Sequence, residues 1–367
     1  MKVVLLSGAS SIHTVRWANA LANKGLEIHL ISQHPPLEAL NSNVKSHIFP
    51  FKGEWGYFLY ARRIKRLVED IRPDLVNVHY ASGYATTARL IGFHPTLLSV
   101  WGSDVYDFPN KSFIHKHLVK KNINFSDLIA STSHCMAKQT NSLLKKKRDI
   151  KITPFGVDLK RYNCINPLKN KDFDEKIIIG TVKVLAPKYG IDTLIKSFSI
   201  LQERLKVTHP ILAENLILRI VGDGPQRNDL ENLVKKLNLA KYVEFLGRVN
   251  HTEVPNILSS FDIFVALSRL DSESFGVAII EAGAAKRPVV VSDVAGLKEV
   301  VVPQKTGLVV PKDNPQAASE AIEKLILNYS LRYNLGINGY HHVSQLYNWD
   351  CNVENMINIY KKLCKKF

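Results

Sequence analysis

Closely spaced cysteines are absent from this chain. Its four cysteines, Cys135, Cys164, Cys351 and Cys364, lie far apart with no C-x-x-C among them. That argues against a disulfide framework or a zinc site, and for a reducing compartment. No run approaches the ~20 apolar residues of a spanning helix. The apolar stretch behind Met1-Lys2 covers only Val3 to Leu6 and reads as a first buried strand rather than a signal peptide. No internal repeat and no low-complexity segment appears. The turn after the first strand, SGASSIHT, lacks the G-x-G-x-x-G spacing of a dinucleotide site, so NAD binding is not supported. Nor is there a platform of interleaved aromatic and basic residues of the kind that reads nucleic acid.

What is present is ordinary for a soluble globular protein: 46% hydrophobic and 22% charged residues in 367. That length exceeds one core and implies two or three domains. The net charge of +16 belongs mostly to the first half, in ARRIKR (61–66), KHLVKK (116–121) and LLKKKR (143–148). Clustered cations draw a protein to anionic lipid, nucleic acid or acidic saccharide. Solvated helix faces are the plain alternative.

In order, Lys2–Leu6 is an apolar strand and Val15–Asn23 has helical spacing. Strands follow at Ile28–Ser32, Ser46–Phe49, Leu75–Val78, Thr96–Val100, Leu128–Ser131 and Ile150–Thr153, with a basic amphipathic helix over Tyr57–Ile71. Short apolar strands separated by helices imply a parallel sheet covered on both faces, whose ligands bind beyond the strand carboxyl ends. That location singles out His79-Tyr80 and Trp101 to Asp104, with Asp104 equally suited to a structural cap. His13 stands at the start of the first helix, where a cap or packing role is also open.

Phe155 to Glu175 breaks the rhythm with proline, glycine, asparagine and a polar KNKDFDE run, which places the linker at 161–175 between domains 1–160 and 176–346. Asp172 and Asp174 spell D-x-D there, but a polar linker suits solvation better than a metal. A second strand–helix series follows, with strands Ile177–Val182, Leu216–Val221, Val243–Leu246, Ile263–Ala266, Pro288–Val291 and Gly307–Val310. Asn250 to Ser260 reads as a helix, and residues 347–367 as a terminal one.

The chemistry concentrates in this second half. Lys183 ends its first strand and Lys188 follows five residues on, before a helix, a suitable pair of cations for a diphosphate. Glu273 precedes the helix Val277–Ala285, which is apolar all round except for Glu281. A carboxylate in such a helix needs partners, either a neighbouring cation or the hydroxyls of a ligand. At the standard rise the two carboxylates stand roughly 10 Å apart along one element, which fits gripping two ends of one extended ligand. The N–H groups of Ser274, Phe275, Gly276 and Val277 lie between them, where a phosphate is welcome. Hydroxyls at both ends and phosphates in the middle describe a nucleotide sugar.

E-S-F-G-V-A-I-I-E (273–281) resembles the E-x7-E signature of retaining glycosyltransferases of family 4. The resemblance runs on through HTVRWANALANKG, the Lys183/Lys188 turn, VGDGP, VEFLGRV and the trailing W-D helix. It implies an α/β chain of GT-B fold, two Rossmann-like doubly wound parallel-sheet domains facing a central cleft. It implies that Glu281 binds the ribose, Glu273 the donor sugar and Lys183 and Lys188 the diphosphate. Gly8 would approach the diphosphate, and the backbone around Val249 would lie near the base. The terminal helix would pack back on the N-terminal domain. Three departures stand out: Lys183 replaces a usual arginine, Lys286 a usual glycine, and Ala295 the first of a glycine pair. Trp101 holds the place where many members have a histidine, and an indole cannot act as a base.

The expected activity is therefore metal-independent, retaining sugar transfer from a nucleotide diphosphate donor, with uridine diphosphate favoured over guanosine diphosphate. The basic first domain would hold a lipid-linked or anionic glycan acceptor near His13, His79 and Asp104. That places the protein in the cytoplasm, peripheral at the inner face of the membrane, in cell-surface polysaccharide synthesis. A small soluble acceptor is the alternative, and a non-catalytic nucleic-acid binder the rival from another class. No cofactor and no nucleic-acid partner are expected.

Overall fold

Short runs such as KVVLL, LVNVH and TLLSV are buried at nearly every position, the mark of strands covered on both faces. A computed structural model describes all residues, Met1–Phe367. The chain divides into two units, Met1–Pro154 with Asp350–Phe367, and Phe155–Trp349.

The first unit runs β1 (Lys2–Leu6), α1 (Ile12–Asn23), β2 (Glu27–Ser32), β3 (Val44–Ile48), α2 (Gly56–Leu59), α3 (Ala61–Ile71) and β4 (Leu75–His79). It continues with α4 (Gly83–Ile91), β5 (Thr96–Val100), α5 (Phe113–Phe125), β6 (Leu128–Ser131), α6 (His134–Ser142) and β7 (Ile150–Ile152). Its parallel sheet has the order β3-β2-β1-β4-β5-β6-β7. The strand order reverses between β1 and β4, and a crevice opens at such a switch point. Ser7-Gly8 and His79-Tyr80 stand there. The helix expected over Tyr57–Ile71 is interrupted at Tyr60, whose buried side chain turns into the core beside Ile64 and Val68.

The second unit runs β8 (Ile177–Val182), α7 (Ile191–Thr208), α8 (Pro210–Glu214), β9 (Leu216–Val221), α9 (Arg227–Lys236), β10 (Val243–Gly247), α10 (Val254–Ser259) and β11 (Ile263–Ala266). Then come α11 (Val277–Ala284), β12 (Val289–Ser292), α12 (Ala295–Val300), β13 (Gly307–Val310), α13 (Pro315–Leu327) and α14 (Tyr329–Leu346). Its sheet order is β10-β9-β8-β11-β12-β13, with the switch point between β8 and β11. The helix expected over Asn250–Ser260 is a 3-10 turn (His251–Glu253) leading into α10, because Pro255 has no N–H to continue a regular ladder.

Residues 161–175, expected as linker, lie within the second unit, and the division falls earlier, at Pro154. Tyr162, Ile165 and Leu168 are buried, and the Val157 N–H donates to the Tyr347 carbonyl at 2.8 Å. The polar composition around Pro167 marked irregular backbone here, not a boundary. The last helix, α15 (Trp349–Cys364), belongs to the first unit from Asp350 onward. Asn77 of β4 donates from Nδ2 to the Tyr360 hydroxyl at 2.6 Å, and Lys24 pairs with Glu354 at 2.8 Å.

Candidate functional site

In the second unit the apolar strand β8 delivers Lys183 to the switch point. Gly222, at φ 133°, makes this possible, since a Cβ there would stand 1.8 Å from the Lys183 carbonyl oxygen. Lys183 Nζ donates to Glu273 Oε1 at 2.5 Å, and the two side chains are only 14% and 10% exposed. Burial pulls the lysine pKa down, but the charge and hydrogen bond of Glu273, aided by Tyr189 and Glu281, raise it above its ordinary value. Lys183 is thus held as an ammonium ion.

Lys188 sits in a 3-10 turn, Pro187–Tyr189. The ammonium groups of Lys183 and Lys188 both lie 4.8 Å from the centre of the Tyr189 ring, which gathers the two cations around one aromatic. Arg269 fixes this turn. Its backbone N–H donates to the Lys188 carbonyl at 2.8 Å, and its guanidinium reaches the Pro187 carbonyl (3.0 Å), Asp192 (2.7 Å) and Thr193 (2.8 Å).

Glu273 is carried by a turn closed by its own N–H to the Leu270 carbonyl, 3.0 Å. The turn lies directly on Gly296, where a Cβ would come within 2.3 Å of the Glu273 carbonyl oxygen. Only glycine serves there, although Ala295 beside it is tolerated. Phe275 is buried against the rings of Phe155 and Tyr347, at 5.7 and 5.6 Å, so its side chain anchors the turn. Ser274 is buried too, and Gly276 caps α11. Of the N–H groups expected to face a phosphate, that of Val277 is directed to the Phe275 carbonyl at 3.1 Å. After α11, Lys286 adopts the left-handed conformation, φ 60°, that a glycine would take freely. Its ammonium donates to the Ile165 carbonyl (2.5 Å) and lies 5.3 Å from the Tyr340 ring.

Glu281 has a basic partner, and a second one stands behind it. Its Oε1 is 3.0 Å from His251 Nε2, and Arg161 Nη1 is 3.0 Å from His251 Nδ1. Arg161 Nη2 also donates to the His251 carbonyl at 2.5 Å. Arginine only donates, so Nδ1 accepts and Nε2 carries the proton given to Glu281. Glu273 and Glu281 therefore each engage a basic side chain through Oε1, and Oε2 makes no hydrogen bond within the protein. Val249, half-buried, stands two residues before His251. Sequence reasoning missed Arg161, His251 and Arg269. The one signal for His251 was its place just after VEFLGRV.

In the first unit, His13 and His79 meet at Trp101. Their ring centres are 6.0 and 4.2 Å from the indole, and that of Tyr80 is 5.2 Å away. His79 Nδ1 is 2.9 Å from Ser7 Oγ, which in turn is 2.8 Å from Thr14 Oγ1. Complete burial, with His13 nearby, pushes the His79 pKa down to about 3, so this imidazole is neutral near pH 7. Burial likewise raises the Tyr80 phenol to about 12. Asp104 accepts from the backbone N–H groups of Ala81 (2.7 Å), Gly102 (2.8 Å) and Trp101 (3.2 Å), so its carboxylate joins the ends of β4 and β5. Gly8 has room for a side chain, since a Cβ would meet nothing closer than Tyr84 at 3.5 Å.

The sequence profile of "Glycosyl transferases group 1" matches residues 166–342, and that of "Glycosyl transferase 4-like" residues 2–133. An uncharacterised glycosyltransferase of Methanocaldococcus jannaschii is 32% identical over 96% of this chain and 94% of its own. The N-acetyl-alpha-D-glucosaminyl L-malate synthase of Bacillus anthracis is 26% identical over 90% and 87%. Among solved structures, Anabaena HepE in complex with UDP superposes with a TM-score of 0.80 at 16% identity, over 99% of this chain and 100% of that one.

Proposed function

The chain belongs to the group 1, family 4-like glycosyl transferases and has the GT-B fold, and from that premise we propose a retaining transfer of sugar from a uridine diphosphate donor to a lipid-linked or anionic glycan acceptor. The observation that carries the reading is the gathering of Lys183, Lys188 and Glu273 around Tyr189 at the switch point, with Glu281 on the adjoining helix. As the glycosidic bond breaks, negative charge grows on the leaving diphosphate, and the two ammonium groups supply compensation without a metal. The leaving phosphate oxygen takes the proton of the acceptor hydroxyl, and the new C–O bond forms on the same face of the sugar. Glu273 holds the sugar ring, Glu281 the ribose hydroxyls, Val249 flanks the base, and Gly8 admits the diphosphate closely. Uridine is favoured because the Anabaena protein was solved with UDP.

The acceptor side rests on the first unit, where His13, His79 and Asp104 surround the ends of β1, β4 and β5. Its basic segments suit polysaccharide or glycolipid synthesis at the cytoplasmic face of a membrane. No helix is long and apolar enough to cross one. A small soluble acceptor is the second reading, favoured by the likeness to the malate synthase. A thermal-shift panel of uridine, guanosine and adenosine diphosphate sugars tests the donor side, because a ligand of the folded state raises Tm by mass action. A UDP-sugar should give the largest rise. No shift with any of them would sink the proposal.

A further inference from the structure

Beside the histidine–tryptophan cluster of the first unit lies a mostly apolar groove of about 440 Å³, within the ~300–1,000 Å³ of ligand pockets. Phe51, Tyr57 and Phe58 form one wall, and Phe108, Ile114 and Leu118 the other. Its floor is Ser82-Gly83 at the start of α4, directly after Tyr80-Ala81. Asp104 ties the Ala81 N–H to the loop after β5, so the inner end of the groove adjoins the cluster of His79, Tyr80 and Trp101.

The two segments that form the walls also carry large apolar side chains in water. Trp55 is 74% exposed, Leu59 63%, Phe113 82% and Ile114 75%. Isolated exposed apolar residues are unremarkable, but four of them on two short segments bordering one groove mark a contact surface. One carboxylate, Glu54, lines the groove, and cations outnumber it. Lys111 lies 5.4 Å from the Phe108 ring, and Arg62, Arg63, Lys65 and Arg66 of α3 are exposed immediately after Leu59. Apolar side chains interspersed with cations match an amphiphile whose tail is hydrocarbon and whose surroundings are anionic.

The geometry points to this groove as the seat of the hydrocarbon tail of a lipid-phosphate acceptor, with the head at the His79–Trp101 cluster. The tail runs outward between Trp55 and Leu59 on one side and Phe113 and Ile114 on the other, where the acyl region of a bilayer begins. The arrangement selects a lipid-borne acceptor over a small soluble one. It rests on the sugar-transfer reading for the role of the head group, while the tail site stands on the groove itself.

The test titrates the full-length protein with dodecyl phosphate and with butyl phosphate, both below micellar concentration, by calorimetry. The wild type should bind the longer chain at least tenfold more tightly, and F58E/I114E should reduce it to the butyl level. Both substituted side chains are already exposed, and a thermal melt checks their folding. The wild-type comparison stands even if the variant fails to fold. Equal affinity for the two phosphates, or an undiminished preference in a folded F58E/I114E, overturns the tail site. Nucleotide-sugar binding without tail preference overturns the tail site alone. Tail preference without any nucleotide-sugar binding upholds the groove and overturns the transfer reading.

Discussion

Lys183 and Glu273 stand 90 positions apart in the chain, and their side chains meet at 2.5 Å in a nearly closed site. Removing one partner of such a pair leaves the other charge buried, at roughly 3–5 kcal/mol. Glu273→Ala should therefore lower unfolding free energy by about that amount in urea denaturation. The raised lysine pKa gives the pH dependence its sign. The stabilisation is complete below the unfolded lysine value of 10.5 and disappears as pH rises through the higher folded value. Wild type should lose stability above pH 10.5 more steeply than Glu273→Ala.

The Lys188 side chain is separable from the fold, because Arg269 holds the turn through the Lys188 carbonyl rather than its ammonium. Lys188→Ala should lower kcat by ~10²-fold or more at saturating donor, with Tm unaltered. Unchanged turnover would remove charge stabilisation from the mechanism.

His251 is a positioning residue for Glu281. His251→Ala leaves a buried carboxylate oxygen without its donor, at about 1–3 kcal/mol. If Glu281 grips the ribose, donor KM should rise roughly 5- to 100-fold while kcat falls less, as expected for ground-state binding. His251→Gln, which keeps an N–H donor, should recover part of the loss. A variant that only destabilised the fold would show neither the split nor the recovery.

Gly8 separates ligand from protein packing. A methyl group there meets only ordinary contacts, so Gly8→Ala should melt like wild type. If the diphosphate approaches this backbone closely, donor turnover should drop by ~10²-fold from misplacement. Full activity would show that the donor does not reach Gly8.

His79 predicts an acid limb. Its folded pKa, about 3, lies below the ordinary 6.5, so its contribution is complete above pH 6.5 and is lost as pH falls through that window. His79→Asn should flatten the fall in Tm between pH 6.5 and 4 relative to wild type.

Burial explains which elements could be read from the sequence. Ile177–Val182, Leu216–Val221, Ile263–Ala266 and Gly307–Val310 have the same bounds in the structure, because parallel strands covered on both faces appear as uninterrupted apolar runs between turn residues. The pairing of Lys183 with Glu273 was not legible, since spacing along a chain carries no information about contacts made across a sheet. Arg161 was less legible still. A lone arginine in an irregular, polar stretch has no periodicity, and its meaning comes from the imidazole it meets 90 residues later. The open choice for Glu281, between a neighbouring cation and a ligand, has a two-part answer. One oxygen meets a basic neighbour, and the other makes no hydrogen bond within the protein.

The bond from Asn77 to Tyr360 sets an order of events during synthesis. Asn77 lies in the middle of β4 and is almost entirely enclosed, yet the acceptor for its amide is translated only after residues 155–349 of the second unit. The first sheet can collapse as it leaves the ribosome, but it cannot be sealed until the whole second unit has been made. A nascent chain stalled before residue 349 would carry a first unit with an open seam, exposed to proteases and to neighbouring chains.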